Sequence, residues 1–473
     1  MVSGTRKIAP AVAILGISAI AMAAAPTTEE LKAQIDALQQ KVDALEANQV
    51  KAADVDATVR QVLEDADRRS QLFASEGFTA GYTADRGFVL QSADGAFLLH
   101  PYIQFQFRES NNWRDNDTTG TNSSTNNAND NNNGFEVRRL KYGVEGNAYT
   151  SALTYQFQWQ TSSTAGSVSL EDAWAKYRFQ PNWAVQAGQF KDPLFHESLV
   201  SSFKQLTADR SLQNSLLEGN DNYIQGASLL YGDKNPLHGQ VAFTDGFAGA
   251  NSNYLDPTGG DPTDTGFRSN NNKAANFGLA ARVEYMVLGD SAKDWKRYST
   301  YSAQGAKDAS DLLILGAAGE WDQVGDYNAY WYTADAQWEP AAVSGLSVYG
   351  ALVGRNYRVD QTESDSQKNS ASDYGALVQA GYMVTTRIEP FVRYDYTRMG
   401  TMSDSTVDSF GTRNIHEITA GVNYYLFGQN AKFTLDLSYL PNGSPVTVSG
   451  LDISSQTRDE EQWIARAQFQ LVL

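Results

Sequence analysis

The feature that most constrains this chain is a two-residue alternation that returns sixteen times. It is plainest in the last stretch, where Trp463, Ala465, Ala467, Phe469, Leu471 and Leu473 share one parity and Arg466, Gln468 and Gln470 the other. Successive side chains of a strand point to opposite faces, so this segment has one apolar and one polar face. A soluble antiparallel sheet can show the same pattern, so one strand decides little. Recurrence decides more. In 151–161, Leu153, Tyr155, Phe157 and Trp159 oppose Thr154, Gln156, Gln158 and Gln160; in 431–440, Phe433, Leu435, Leu437 and Tyr439 oppose Lys432, Thr434, Asp436 and Ser438. The stretches 276–287 and 388–397 repeat it, and weaker versions run at 96–110, 134–149, 170–180, 183–191, 223–233, 239–247, 312–322, 328–339, 345–357, 374–385 and 415–427. The expected fold is all-β: a transmembrane antiparallel barrel of about 16 strands, the last closing on the first. Fourteen or eighteen strands remain open.

The connections alternate in length, as short periplasmic turns and long outer loops require. Short ones fall at Thr150, 181–182, 234–237, 340–344, Thr386 and 428–430; long ones fall at 111–133, 192–222, 248–274, 358–373, 399–414 and 441–461. Two connections break the rule: 290–311 is long where a turn is due, and 323–327 is short where a loop is due. A barrel this wide leaves an aqueous channel. Tyr149, Trp183, Tyr231, Trp338, Tyr382 and Phe427 stand at strand ends, where aromatic girdles meet headgroups; ordinary β-propensity accounts for them equally well.

Ahead of the barrel, residues 1–23 read as a signal peptide, with Arg6 and Lys7 before an apolar run and Ala21-Met22-Ala23 as the cleavage site. An uncleaved anchor helix is the alternative. In 24–71 the period becomes helical: Leu31, Ile35, Leu38, Val42 and Leu45 form an a/d seam that stumbles at 49–52 and resumes at Val55, Val59 and Val62. This periplasmic coiled-coil segment, about 60 Å long if fully helical, fits a trimer seam, a spacer toward the cell wall, or one helix packed on the barrel base. Residues 72–95 form a linker with a turn signal at Ala93-Asp94-Gly95, and 96–473 the barrel.

The chain has no cysteine, so disulfides and thiolate sites are excluded, and its charge of −18, about −20 without the signal, argues against nucleic acid. His100, His196, His238 and His416 lack ligand spacing, and His416 shares the parity of Ile418 and Ala420, which places it on the outer surface. Asp115-x-Asp117 faintly resembles a calcium loop, but its twelfth position is Asn126. No catalytic residue, cofactor or metal is expected.

Region 134–219 carries motifs in order: Arg138-Arg-Leu-Lys-Tyr-Gly-Val-Glu-Gly146, Asp172-Ala-Trp-Ala-Lys-Tyr-Arg178, Gly188-Gln-Phe-Lys-Asp-Pro193, and the Glu197 to Arg210-Ser-Leu212 segment. These resemble the phosphate-selective porin O and P family of Gram-negative outer membranes. The resemblance implies a sixteen-stranded homotrimeric porin in outer-membrane lipid whose third long loop folds into the lumen and narrows it. Here that loop is 192–222, whose Leu194, Phe195, Leu199, Val200, Phe203 and Leu206 call for a packing partner. The inner wall is one such partner and a neighbouring subunit another. Lys191, Lys204 and Arg210 are the constriction candidates, although for any one of them taken singly an ordinary salt bridge to a wall carboxylate is the favoured role. By parity, Arg139, Lys141, Lys176, Arg178, Arg282, Arg355 and Arg393 are the pore-lining candidates, with Lys432 and Arg466 behind them. Inward acids (Glu145, Asp172, Glu284, Glu320, Glu389, Asp395, Glu417 and Asp436) nearly balance them, which departs from the strongly basic pores of phosphate-selecting members.

The expectation is therefore a passive channel for small hydrophilic solutes and ions, with anion or phosphate preference. The alternatives are a general porin, unselective or cation-preferring, and a structural anchor that contacts the cell wall through its coil. The facing assignment also predicts that Leu435→Arg impairs assembly while Thr434→Arg is tolerated.

Overall fold

The computed structural model describes residues 28–29, 31–44, 60–61, 64, 77–83, 87–114, 131–162, 166–217, 223–246, 277–324, 327–359, 370–399, 414–444, 453 and 461–473. The signal segment 1–23 and the calcium-like loop lie outside them. The chain divides into two units, residues 1–76 and 77–473. In the first, residues 31–44 are helical, and Leu31, Ile35, Leu38 and Val42 are all exposed along the helix. The rest of the expected coil lies largely outside the described residues.

The second unit begins with an antiparallel hairpin inside the stretch read as a linker: β1 (Phe78–Thr83) and β2 (Gly87–Ser92). The turn after it is the Ala93-Asp94-Gly95 signal: Asp94 Oδ1 accepts from the Ala96 N–H at 3.0 Å, and Gly95 takes φ +71°. Sixteen strands follow. They are β3 (Leu98–Arg114), β4 (Asn131–Ala148), β5 (Thr150–Thr161), β6 (Val168–Gln180), β7 (Trp183–Lys191) and β8 (Tyr223–Tyr231). Next come β9 (Leu237–Thr244), β10 (Phe277–Leu288), β11 (Leu312–Val324), β12 (Tyr327–Glu339) and β13 (Leu346–Val359). The last are β14 (Ser370–Tyr382), β15 (Ile388–Arg398), β16 (Asn414–Phe427), β17 (Ala431–Leu440) and β18 (Gln462–Val472).

Each strand pairs antiparallel with its neighbours in sequence, and β18 returns to β3 with Trp463 opposite Trp113 and Phe469 opposite Phe107. The result is a closed sixteen-stranded barrel, which leaves no open sheet edge. Register preserves the alternation: in β17 the apolar Phe433, Leu435 and Leu437 are exposed outward and Lys432, Thr434, Asp436 and Ser438 are buried inward. Trp183, Tyr231, Trp338, Tyr382 and Phe427 all fall at the short-turn end, and Tyr149, at φ +64°, makes the tight β4–β5 turn there. His416 faces outward, at 2.9 Å from the Tyr394 hydroxyl.

The inside of this barrel is filled more than the strand pattern alone suggests. In the 192–222 loop, L3, the described residues 192–217 fold inward and carry two short helices, α1 (His196–Leu199) and α2 (Leu212–Leu217). Its Leu194, Phe195, Leu212, Leu216 and Leu217 join Trp331, Val353, Ile415, Leu440 and Ile464 of the inner wall in one apolar cluster. The anomalous 289–311 connection explains itself here. It carries α3 (Trp295–Tyr298) and a 3-10 turn (Ala303–Ala306), and it enters from the opposite end to meet L3: the Tyr301 N–H donates to the Lys204 carbonyl at 3.2 Å. Tyr301 then packs with Val200, Leu206, Tyr349, Leu377 and Phe391.

Candidate functional site in the barrel lumen

L3 is held by polar side chains of the wall, because its backbone, once out of water, needs partners. Asp209 is the principal latch. It accepts from Arg108 Nη1 at 2.5 Å, Arg138 Nε at 3.0 Å and Arg139 Nη2 at 2.6 Å. Arg138 and Arg139 are adjacent in β4 and by strict alternation would point to opposite faces. A β-bulge opposite Gln106/Phe107 lets both guanidinium groups turn inward. Further along, the Ala208 N–H donates to Asp436 at 2.8 Å and the Leu212 N–H to Glu417 at 3.1 Å. Lys432, Asn423 and Gln470 donate to the carbonyls of Gln205, Leu206 and Phe203.

The second insertion is tied in the same way. Gln337 donates to the carbonyls of Arg297 and Thr300, Arg297 pairs with Glu339 at 2.7 Å, and the Ala303 N–H donates to Glu389. His196 of α1 stacks on Tyr298 with ring centroids 3.7 Å apart, and its Nε2 donates to the Tyr298 carbonyl at 3.0 Å. Burial pushes the pKa of His196 down to about 4.

The sequence-derived candidates separate under this geometry. Arg210 is buried and turned back on its own loop, donating to the carbonyls of Glu197 and Val200 at 3.0 and 3.1 Å. Lys191 donates to the Ser198 carbonyl at 2.5 Å. Lys191 and Lys204 both remain partly exposed, and the Lys204 ammonium lies 3.4 Å from the Ser299 hydroxyl of the second insertion. Burial draws its ammonium pKa below the ordinary lysine value, with Glu145 acting against that shift.

The wall cations need a correction. All seven point inward as parity requires, but five are buried in the latch or in ion pairs. Arg139 serves the latch, Lys141 pairs with Glu171 at 2.8 Å, Arg282 with Asp335 at 2.9 Å, Arg355 with Asp373 at 2.7 Å and Arg393 with Glu417 at 3.1 Å, all buried. Gly316 makes room for one of these pairs: a Cβ there would lie 2.5 Å from Arg282 Nη2 and 2.6 Å from Asp335 Oδ1. Lys176 and Arg178, both on β6, remain accessible. Arg108, Arg138 and Asp209 were missed. The adjacent Arg138-Arg139 pair was the available signal, since two long cations in succession break a strand's alternation.

The lumen is thus two-sided. Inward side chains of β12–β18 are buried almost without exception, under L3 and the second insertion. Those of β3–β10 keep accessible groups, among them His100, Glu145, Gln156, Lys176, Arg178 and Gln240. On this side lies a cavity of about 360 Å³ between β5–β10 and Leu199 of L3. Elsewhere on the same side, the Glu145 side chain is 49% exposed and contacts His100 at 3.1 Å.

A family model described as phosphate-selective porin O and P matches residues 110–443. Among solved structures, the chain is similar to an anion-selective porin from Comamonas acidovorans, with a TM-score of 0.51 and 13% identity over 79% of this chain and 99% of that one. It is also similar to OprB of Pseudomonas putida (TM-score 0.47, 8% identity, 79% and 94% covered) and to OmpT of Vibrio cholerae (TM-score 0.46, 9% identity, 79% and 98% covered). No curated protein matches it. At 13% identity the likeness to the Comamonas porin speaks for the fold alone.

Proposed function

The chain belongs to the phosphate-selective porin O and P family, and from that premise we infer that it is an outer-membrane porin, a homotrimer with its long loops outward and its N-terminal helix in the periplasm. It conducts small hydrophilic solutes and ions along the β3–β10 side of the lumen, with a modest preference for anions. The observation that carries the preference is the distribution of charge rather than its total. Most inward carboxylates (Asp335, Asp373, Glu389, Glu417 and Asp436) are buried against arginines, tyrosines or loop amides, whereas Lys176 and Lys204 retain access to the open side. Ion preference follows the local field at the narrow part, and at 0.1 M salt charges farther than about 10 Å are screened.

The reversal potential of the purified protein in a salt gradient tests this. An anion-favouring sign is expected, and a cation-favouring sign would replace the reading with a general porin. Glu145, exposed on the same side, is the observation that favours that second reading. The exposed apolar row of residues 31–44 is the basis for proposing that the helix forms an intersubunit coil; contact with the cell wall is the competing role.

A further inference from the structure

The cavity on the open side of the lumen has a lining unlike a site for inorganic phosphate. Its cations are Lys176, Arg178 and Arg282. Two of them are already committed: Arg178 to Asp233 at 3.1 Å and Arg282 to Glu284 and Asp335 at 2.6 and 2.9 Å. Lys176 has no ion pair among the described residues; its Nζ stands 5.2 Å from the centroid of the Trp174 ring, which leaves its hydrogens free for an acceptor from the channel. One uncommitted ammonium suits a monoanion. A phosphate dianion would call for at least two such groups or a ring of aimed donors.

The rest of the lining points the same way. Ala184 and Leu230 project inward from β7 and β8, and Leu199 reaches down from α1 to face them, so an apolar floor lies beside the ammonium. Water on that floor is readily displaced by a compact apolar group. The volume of about 360 Å³ accommodates a small organic molecule with room for water around its charged end.

We propose that this cavity is a binding site for organic monocarboxylates with a compact apolar body, the carboxylate on Lys176 and the body on Leu199, Leu230 and Ala184. The site rests on the porin reading, since its ligand arrives through the open lumen. It makes such acids preferred passengers that slow the ion current while they occupy the channel.

Benzoate, acetate and inorganic phosphate are the probes, titrated at matched ionic strength against the chloride current of the full chain in planar bilayers. Benzoate is expected to half-block at a concentration at least tenfold below acetate and below phosphate. Each variant is compared with its own unblocked current. Lys176→Met should raise the half-blocking concentration of benzoate at least tenfold. Leu230→Asn, and independently Leu230→Ala, should erase most of the difference between benzoate and acetate. Equal block by benzoate and acetate, or a Lys176→Met channel with the native benzoate response, overturns the site and leaves the porin standing. Failure of the folded native protein to form any channel overturns the porin reading and the site with it.

Discussion

The two sides of the lumen wall are written in the same alternating code and end in opposite environments. On β15–β18 the inward row reads Glu389, Arg393, Asp395, Glu417, Lys432, Asp436 and Arg466, and every one is buried. On β3–β6 the inward row includes His100, Glu145, Gln156, Lys176 and Arg178, and these keep access to water. The first set acts as an inner core, pairing with itself and with the backbone of two inserted segments. The second acts as a channel lining. Inward therefore does not mean wet, and the difference lies in what has folded against each side.

The sharpest way to break this comparison is a charge at an inward site on each side. Thr434 is fully buried and its hydroxyl donates to Asn423 at 2.6 Å, so Thr434→Arg is now expected to block assembly as severely as the lipid-facing Leu435→Arg. This reverses the tolerance that facing alone predicted. A charge on the lipid face costs roughly 2–4 kcal/mol near the midplane, and an unpaired buried charge costs about 3–5 kcal/mol. Gln156→Arg, on the open side, should assemble normally. Folded protein recovered from outer membranes measures all three, and an assembled Thr434→Arg barrel would show that the packed side is hydrated.

Next in size is the latch. Asp209→Ala removes the carboxylate shared by Arg108, Arg138 and Arg139, while Glu136 stays beside Arg108. Release of L3 from β3–β4 is expected, read as a larger and noisier single-channel conductance together with a lower heat-denaturation temperature. A native conductance would mean that the apolar cluster alone holds the loop.

Acid should loosen the same structure more gently. The folded pKa of His196, about 4, lies below the unfolded value of about 6.5. The unfolded state therefore binds the extra proton first, so this contribution to stability is fully present above about pH 6.5 and is lost as pH falls toward 4, by roughly 3 kcal/mol in all. Melting curves of the native protein should steepen in pH dependence across that window, and His196→Gln should flatten them. Groups facing the ring, Arg282, Glu284 and Asp335, stay in both proteins and serve as the internal control.

Selectivity changes should be smaller still and confined to the open side. Lys204→Glu is expected to move the reversal potential toward cations, more at low salt than at high. Arg210→Glu, on the same loop, should instead lower stability, because its guanidinium clamps L3 carbonyls. Equal selectivity shifts from both would return Arg210 to the constriction. Least affected should be the barrel when Ile35 and Leu38 become Asp: only the melting of the oligomer should fall if the exposed helical row is an intersubunit seam.

What the sequence by itself determined is whatever a local period can carry. Alternation located all sixteen strands to within a few residues, their facing, the turn at 93–95, the outward His416 and the helical character of 31–44. The motifs of 134–219 named the family, and the apolar residues of L3 announced that it needed a packing partner. Even the irregular length of 290–311 was legible, though not its meaning. Tertiary structure alone decided which inward residues meet water. Asp209 finds Arg108, Arg138 and Arg139 across about 70 to 100 positions of chain, and Lys204 finds Tyr301 across a similar span. A period of two says which face a side chain takes; it carries no information about what a distant segment will bring to that face. Burial, ion pairing and the path left open are set by those distant encounters, and five of the seven wall cations became structural, Arg355 and Arg393 on the packed side and Arg139, Lys141 and Arg282 on the strands of the open side.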